Sequence, residues 1–349
     1  MVTLGTDAHK RSHTIVAADE QGRQLGQVTV TATPEGHLRA LRWASRWPER
    51  CWAVEDCRHL SRRLERDLLA AGERVVRVPP KLMAGARRGA RTRGKSDPID
   101  ALAVARATLR EPDLPVACLE GVERQVRLLV DHREDLVAER TRIQQRLRWH
   151  LHELEPGWGI PAGALDRGVW LDRVQRRLAA HRGVVAELAG ELVGRCRQLT
   201  ERINQLQRQL ERLVGPLVPS LLELDGCGAL TAAKLLGETA GISRFRSRAA
   251  FAMHNGTAPV PVWSGNHQRH RLNRGGNRQL NAALHRIAIT QLRRAGPGRD
   301  YLQRRLATGD TKTEAIRALR RRISDEVYRR LGSDERQRPL TPTRLPQAA

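Results

Sequence analysis

From Val185 to Leu213, apolar residues recur at steps of 3, 4, 4, 3, 4, 3, 4 and 3: Val185, Leu188, Leu192, Cys196, Leu199, Ile203, Leu206, Leu210 and Leu213. A seam of that period, set in charged sequence, folds as one long helix that must bury its stripe against another. Leu129, Leu136 and Ile143 stand seven apart, and Leu147, Leu151 and Leu154 continue a matching stripe up to the break at Pro156-Gly157-Trp158-Gly159. Gly183, Gly190 and Gly194 weaken the first turns of the second helix. Two antiparallel helices within the chain, or a coiled coil between two chains, would satisfy residues 116–215 equally.

Ahead of that region the period is different. Val2–Thr6, Ser12–Ala18 and Gln24–Thr31 are β-prone runs, the last two separated by the turn Asp19-Glu20-Gln21-Gly22. A helix is expected at Pro34–Trp47, a fourth strand at Cys51–Glu55, a helix at His59–Ala71 and a fifth strand at Arg74–Val78. Three consecutive strands followed by alternating helix and strand predict an α/β domain over residues 1–115, with helices on a mixed sheet. Residues 216–335 read as a mostly helical third region, and the Pro-containing tail beyond Ser333 as disordered, with 336–349 outside any domain.

The chain of 349 residues carries 62 Lys and Arg against 38 Asp and Glu, a net charge of +24. Self-repulsion of that size opposes compaction, so its use lies in a polyanionic partner, nucleic acid before membrane. No run approaches 18 apolar residues, which excludes a spanning helix. The N-terminus lacks a secretory pattern, and five scattered cysteines without a CxxC argue against disulfides or zinc. A reducing cytoplasm is the expected compartment. The charge is uneven. Lys81–Lys95 holds six basic residues (Lys81, Arg87, Arg88, Arg91, Arg93 and Lys95) and no acid. Arg269–Arg330 holds 17 basic residues against 5 acidic ones, about half of the whole excess, and includes Arg269, Arg271, Arg274 and Arg278. Both segments are expected to lie along phosphates, the first as a cradle beside a metal site, although a solvated basic loop reads the same way.

Four acids stand out against this background. Asp7 ends the first strand, Glu55 ends the fourth, and Asp97 and Asp100 open a helix in KSDPIDALAVA. Carboxylates from adjacent strand ends and a nearby helix start can converge on a hard divalent cation, with Mg²⁺ favoured and Mn²⁺ tolerated. The competing explanation of the Asp pair is a cap, with Asp97 at the N-cap, Pro98 at N1 and Asp100 at N3. Their order along the chain favours the metal: acid on strand one, acid on strand four, acid pair on a later helix, as in RNase H-like nucleases.

Two segments near the C-terminus can carry chemistry. Asp225–Gly237 mimics a dinucleotide fingerprint, but no strand precedes it. A helix-hairpin-helix fits better, its turn Gly226-Cys227-Gly228 aiming backbone N–H groups at a phosphate through Gly226 and Gly228, and an ordinary helix connection fits as well. Ser264 lies in a Trp-Ser-Gly-Asn turn ahead of a basic helix, and taken alone it is turn chemistry. His267 and His270 have no third ligand nearby and are read as solvated or phosphate-contacting.

GTDAHKRSHTIVAAD, AVED, Gly72–Pro80 and GKSDPIDALAVA resemble the RuvC-like half of DEDD-type insertion-sequence transposases. Asp225–Gly237, the Gly256–Gly276 loop with Ser264-Gly265, and KTEAIRALRRRISDEVYRRL resemble the C-terminal half of the same family. The resemblance implies an RNase H/RuvC-like N-terminal domain, a central coiled coil and a mostly α C-terminal transposase domain. It also implies a recombinase guided by a bridge RNA that pairs with donor and target DNA. Asp7, Glu55, Asp97 and Asp100 would then be metal ligands, and Ser264 the nucleophile that joins a DNA phosphate. A homo-oligomer, dimer or tetramer, would let tetrad and serine come from different protomers, acting at the nucleoid. Many members have Thr-Gly after the glutamate where this chain has Asp56-Cys57, and Trp263 precedes the serine in place of a small polar residue. The alternatives are a metal-dependent junction nuclease in which water attacks, and a non-catalytic architectural protein.

Overall fold

Alternation along the strands sorts the first domain. In the strand β1 (Val2–Ala8), Leu4 faces one side of the sheet and Gly5 the other; in β4 (Arg50–Glu55), Trp52 and Val54 face the first side, Cys51 and Ala53 the second. The computed structural model describes residues 1–79, 82–83, 96–111, 114, 116–117, 121–264, 267–273 and 275–338, in two compact units: Met1–Glu120 with Ser243–Ala250, and Gly121–Ile242 with Phe251–Ala349. Lys81, Arg87, Arg88, Arg91, Arg93, Lys95, Arg274 and the tail from 339 onward lie outside the described residues.

The first unit holds a five-stranded mixed sheet in the order β3-β2-β1-β4-β5, with β2 at Ser12–Ala18, β3 at Gln24–Thr31 and β5 at Val75–Val78. β1, β2 and β3 pair antiparallel; β4 runs parallel to β1, and β5 parallel to β4. The expected α/β fold with a mixed sheet is therefore present. One face is covered by α1 (Pro34–Ala44) and α2 (Arg58–Ala70), around a core of Leu4, Ile15, Val30, Trp52, Val54, Leu64 and Leu68. Thr33 caps α1, its hydroxyl accepting from Gly36 N, which ends the strand run at the expected place. The other face is covered by α3 (Asp97–Arg110), through Ala103, Val104 and Ala107 packed on Cys51, Ala53, Val76 and Val78.

The second unit is built on the two long helices. α4 (Val122–Leu154) and α6 (Val184–Val214) pack on each other inside the chain, joined by a 3₁₀ turn (Ala164–Asp166) and by α5 (Gly168–Leu178). Arg133–Gln207, Arg140–Thr200 and Glu139–Arg195 side-chain contacts fix an antiparallel pairing. Of the two ways to bury the seam, this intrachain one is realised. The stripe runs as expected from Cys196 to Leu210, but its first turns differ. Ala186, Ala189 and Val193 are buried, and Leu188 is exposed, where the heptad count expected Val185, Leu188 and Leu192. A straight helix of 3.6 residues per turn drifts off a strict heptad, and small residues at the drifted positions allow close approach.

The C-terminal region follows with α7 (Pro219–Leu222), α8 (Ala229–Thr239), α9 (Arg248–Asn255), the hairpin β6 (Val260–Ser264) and β7 (His267–Arg271), α10 (Arg278–Arg293), α11 (Pro297–Ala307) and α12 (Lys312–Gln337). α12 continues four residues beyond Ser333, so the expected disorder does not begin there; a capping box between Thr311 and Glu314 starts this helix. α8 is buried along almost its whole length and forms the centre of this region.

Candidate metal centre and nucleic-acid interface

Strand alternation puts Asp7, two residues after Gly5, on the face covered by α3, and puts Glu55 there by the same rule from Ala53. The β1–β4 register runs to Thr6 opposite Val54, so the next residues out, Asp7 and Glu55, stand level on adjacent strands. This is the carboxyl end of a parallel pair, where open α/β sheets place their ligand sites. α3 arrives from above with Asp97 in its first turn and Asp100 three residues on, on the same helical face.

Asp97 is not the N-cap. Ser96 holds that position, its carbonyl accepting from Asp100 N at 3.0 Å, and its side chain makes no cap hydrogen bond. The expected acidic capping box is therefore absent, because the helix begins one residue earlier in its cap and places Asp97 at N1.

Asp7 is buried, and its Oδ2 accepts no well-aligned hydrogen bond; His9 Nε2 stands 3.2 Å from it. His9 Nε2 also stands 3.3 Å from Asp97 Oδ1, and among the described residues Asp7, His9 and Asp97 present ligand atoms all within 4.8 Å of one another. Burial lifts the Asp7 carboxyl above the usual range, the Asp100 and Asp97 carboxylates add to the rise, and His9 opposes it. Glu55 stands beside Cys57, whose thiol is pushed up to about 11, first by burial and then by the Glu55 charge, with Asp7 adding to it. Negative charge is thus concentrated on a buried oxygen without a well-aligned donor, which is what a divalent cation relieves. The residues fit such an ion. Asp7 and Asp97 come together with His9, Asp100 lies in electrostatic reach, and Glu55 and Asp100 stand outside the closest trio. His9 was missed in the sequence; its only signal was the Asp-x-His spacing at the end of a strand.

The Ser264 segment is a two-strand antiparallel hairpin in which Ser264, the last residue of β6, pairs with His267, the first of β7. Trp263 beside it is exposed. The hairpin is anchored at its base by asparagines. Buried Asn255 donates from Nδ2 to Ser324 Oγ at 2.8 Å, and its Oδ1 accepts from Thr257 N and Oγ1 at 3.1 and 2.6 Å. Asn281 Nδ2 donates to the Asn255 carbonyl at 2.9 Å, and Arg320 Nη1 to Asn281 Oδ1 at 2.9 Å. Asn277 caps α10, accepting from Gln279 N and Leu280 N, and donates to Glu238 of α8 at 2.7 Å. None of these asparagines was singled out in the sequence, although Asn255-Gly256 and Gly276-Asn277 are the dipeptides that mark tight turns.

The Gly226–Gly228 turn is held against α10. Gly226 has φ +83°, a Cβ there would lie 3.0 Å from the Ile287 carbonyl oxygen, and Gln291 donates to the Asp225 carbonyl at 2.8 Å. Ahead of it stands only the four-residue α7, so a full first helix of a helix-hairpin-helix is not present among the described residues. Arg271 and Arg278 are exposed, as are Arg286, Arg293, Arg299, Arg304 and Arg317. Arg305, Arg321, Arg329 and Arg330 are bound to Asp310, Asp325 and Glu326, so part of the basic run balances local acids.

Two family models match the chain: one described as Transposase, of the IS110 DEDD type, over residues 4–156, and one described as Transposase IS116/IS110/IS902 family over residues 219–303. The 44.8 kDa protein of insertion element IS116 from Streptomyces clavuligerus is 28% identical, with 94% of each chain covered. The 42 kDa protein of insertion element IS900 from Mycobacterium paratuberculosis is 25% identical, with 98% of each covered. The 43.6 kDa protein of insertion element IS110 from Streptomyces coelicolor is 28% identical over 66% of this chain and 69% of its own. Among solved structures, Thermus thermophilus RuvC with a Holliday junction substrate overlaps 34% of this chain and 99% of its own, at 17% identity. Its TM-score is 0.27.

Proposed function

This chain belongs to the IS110/IS116 family of transposases, enzymes that cleave and rejoin DNA, and from that premise we propose that it does so through a metal-assisted phosphoserine intermediate. The observation that carries the metal half is the buried Asp7 Oδ2, without a well-aligned donor, facing His9 and Asp97 on the face that Glu55 and Asp100 share. Asp7, Glu55, Asp97 and Asp100 hold a divalent cation, Mg²⁺ or Mn²⁺. When bound, the ion neutralises charge on the scissile phosphate.

Ser264 supplies the nucleophile. Its hydroxyl oxygen forms a bond to the scissile phosphorus, the bond from phosphorus to the 3′ oxygen breaks, and the 3′ oxygen takes up a proton while the serine proton passes to solvent. The 5′-phosphate is then held as a phosphoester on Ser264, which conserves the bond energy. A free 3′-hydroxyl of the second DNA attacks that phosphorus, loses its proton, and returns the serine to its hydroxyl form. The support is the position of Ser264 at the tip of an anchored hairpin, followed by the exposed Arg271 and Arg278. Donor and target DNA are the substrates, a bridge RNA selects them, and a homo-oligomer brings serine and tetrad together. The structural support for nucleic acid is the exposed arginine run of α10 to α12.

Trapping on a nicked suicide substrate tests this directly. The wild-type chain should give a protease-sensitive DNA adduct whose linked peptide contains Ser264, and Ser264→Ala should bind DNA yet give neither adduct nor recombinant. Cutting by Ser264→Ala at the wild-type rate would make water the nucleophile. Sequencing of RNA that co-purifies with the chain tests the guide: one defined species is expected, and a random population contradicts it.

A further inference from the structure

We propose that His9 is a ligand of the same divalent cation, so that the centre is a mixed nitrogen–oxygen site with a preference for Mn²⁺ over Mg²⁺; this rests on the metal-dependent reading above. His9 is held in place by the backbone. β1 and β2 pair up to Ala8 opposite His13, and His9 N donates to Ser12 O at 3.0 Å, which fixes the residue at the first position of the connecting turn. Its ring projects over the carboxyl end of β1, where Nε2 meets Asp7 Oδ2 and Asp97 Oδ1.

The two distances match the spacing of a ligand set. Charge-assisted N–H···O⁻ hydrogen bonds run at about 2.7–2.9 Å. The His9 contacts, at 3.2 and 3.3 Å, are longer than that, and Asp7 Oδ2 accepts no well-aligned hydrogen bond. Neighbouring ligands that share one cation at about 2.1 Å stand roughly 3.0 Å apart in an octahedron and roughly 3.4 Å in a tetrahedron. The observed spacing falls between these values.

The chemistry follows from the donor set. Mg²⁺ takes carboxylate oxygen and water and gains little from imidazole, whereas nitrogen donors strengthen binding along the first transition row, from Mn²⁺ onward. A buried carboxylate, an exposed carboxylate and an imidazole, with Asp100 and Glu55 nearby for further oxygens, therefore favour the transition ion. His9 also lies half-exposed at a turn, so substituting it leaves the core of the sheet intact.

The test uses the full chain and MnCl₂. Pulsed electron paramagnetic resonance of bound Mn²⁺ should show a nitrogen hyperfine coupling that disappears in His9→Asn. Calorimetric titration should show the Mn²⁺ affinity of His9→Asn falling at least about tenfold, with Mg²⁺ affinity changed less than about twofold. Stoichiometric Mn²⁺ without nitrogen coupling, at the same affinity in both proteins, overturns the assignment of His9 and leaves the carboxylate site standing. Failure of the wild-type chain to bind Mn²⁺ at all overturns both.

Discussion

Gly5 lies so close to Ala101 that a Cβ at Gly5 would stand 2.1 Å from the Ala101 carbonyl oxygen, and 2.6 Å from the Ala105 nitrogen. Both neighbours are backbone of α3, which cannot yield without moving. The missing side chain is what lets α3 settle on β1, and that contact carries Asp97 and Asp100 to Asp7, two residues along the strand. Gly5→Ala should displace the first turns of α3, destabilise the chain by about 1–3 kcal/mol, and abolish Mn²⁺ binding. Denaturant unfolding and metal titration of the variant check both parts; unchanged metal affinity would separate α3 from the site.

A second glycine contact sits under the Ser264 hairpin. A Cβ at Gly276 would lie 2.2 Å from Gly256 N, so the chain enters and leaves the hairpin at a point where two backbones touch. Gly276→Ala should lose strand joining and the covalent adduct while keeping wild-type Mn²⁺ affinity, because the carboxylates belong to the other unit. Parallel adduct and metal assays distinguish this from general unfolding.

Much of this is legible in the sequence alone, and particular residues show why the rest is not. Ser12–Ala18 and Gln24–Thr31 are strands with the expected ends, since β-branched runs punctuated by a Gly turn are local signals. The acids of the site were legible as strand-end and helix-start residues. Their convergence was not, because it depends on the Gly5–Ala101 approach between elements about a hundred residues apart. His9 was invisible for the same reason: its partners are set by register. The cap at Ser96 in place of Asp97 was a local ambiguity that packing resolved. The start of the α6 seam was misplaced because apolar spacing alone does not weigh Ala186 and Ala189, small enough to be buried, against Leu188.

His13 makes the first unit sensitive to acid. It is 1% exposed, its Nδ1 has no hydrogen-bond partner, and its ring stacks on His37 at 5.3 Å between centroids. Burial first, then the nearby His37 and His9, lower it from 6.5 to about 4. The folded state therefore holds fewer protons than the unfolded chain between those values. Stability is complete above pH 6.5 and falls as pH drops toward 4, by up to about 3 kcal/mol. His13→Gln should flatten that part of the profile in a pH series of urea melts; an unchanged slope would assign the acid sensitivity elsewhere.

Binding of nucleic acid should weaken steeply with salt. Each neutralised phosphate contributes about −0.9 to the slope of log affinity against log salt on duplex DNA. Arg271→Gln and Arg278→Gln, both exposed, should each reduce the slope by about that amount, with little change in Tm. Slopes equal to wild type would remove these two side chains from the interface.

The central claim is that the carboxylates around Asp7 exist to hold a cation and not to stabilise the fold. Its most direct measurement pairs thermal melting with DNA cleavage for Asp7→Asn and Asp100→Asn. Asp7→Asn removes a buried charge that Asp97 and Asp100 repel, so the metal-free variant should melt about 2 °C or more above wild type. Both variants should lose cleavage by at least about a thousandfold, equivalent to about 4 kcal/mol of barrier, and excess EDTA should silence the wild-type chain. Cleavage at the wild-type rate by either variant, or in excess EDTA, would contradict the account.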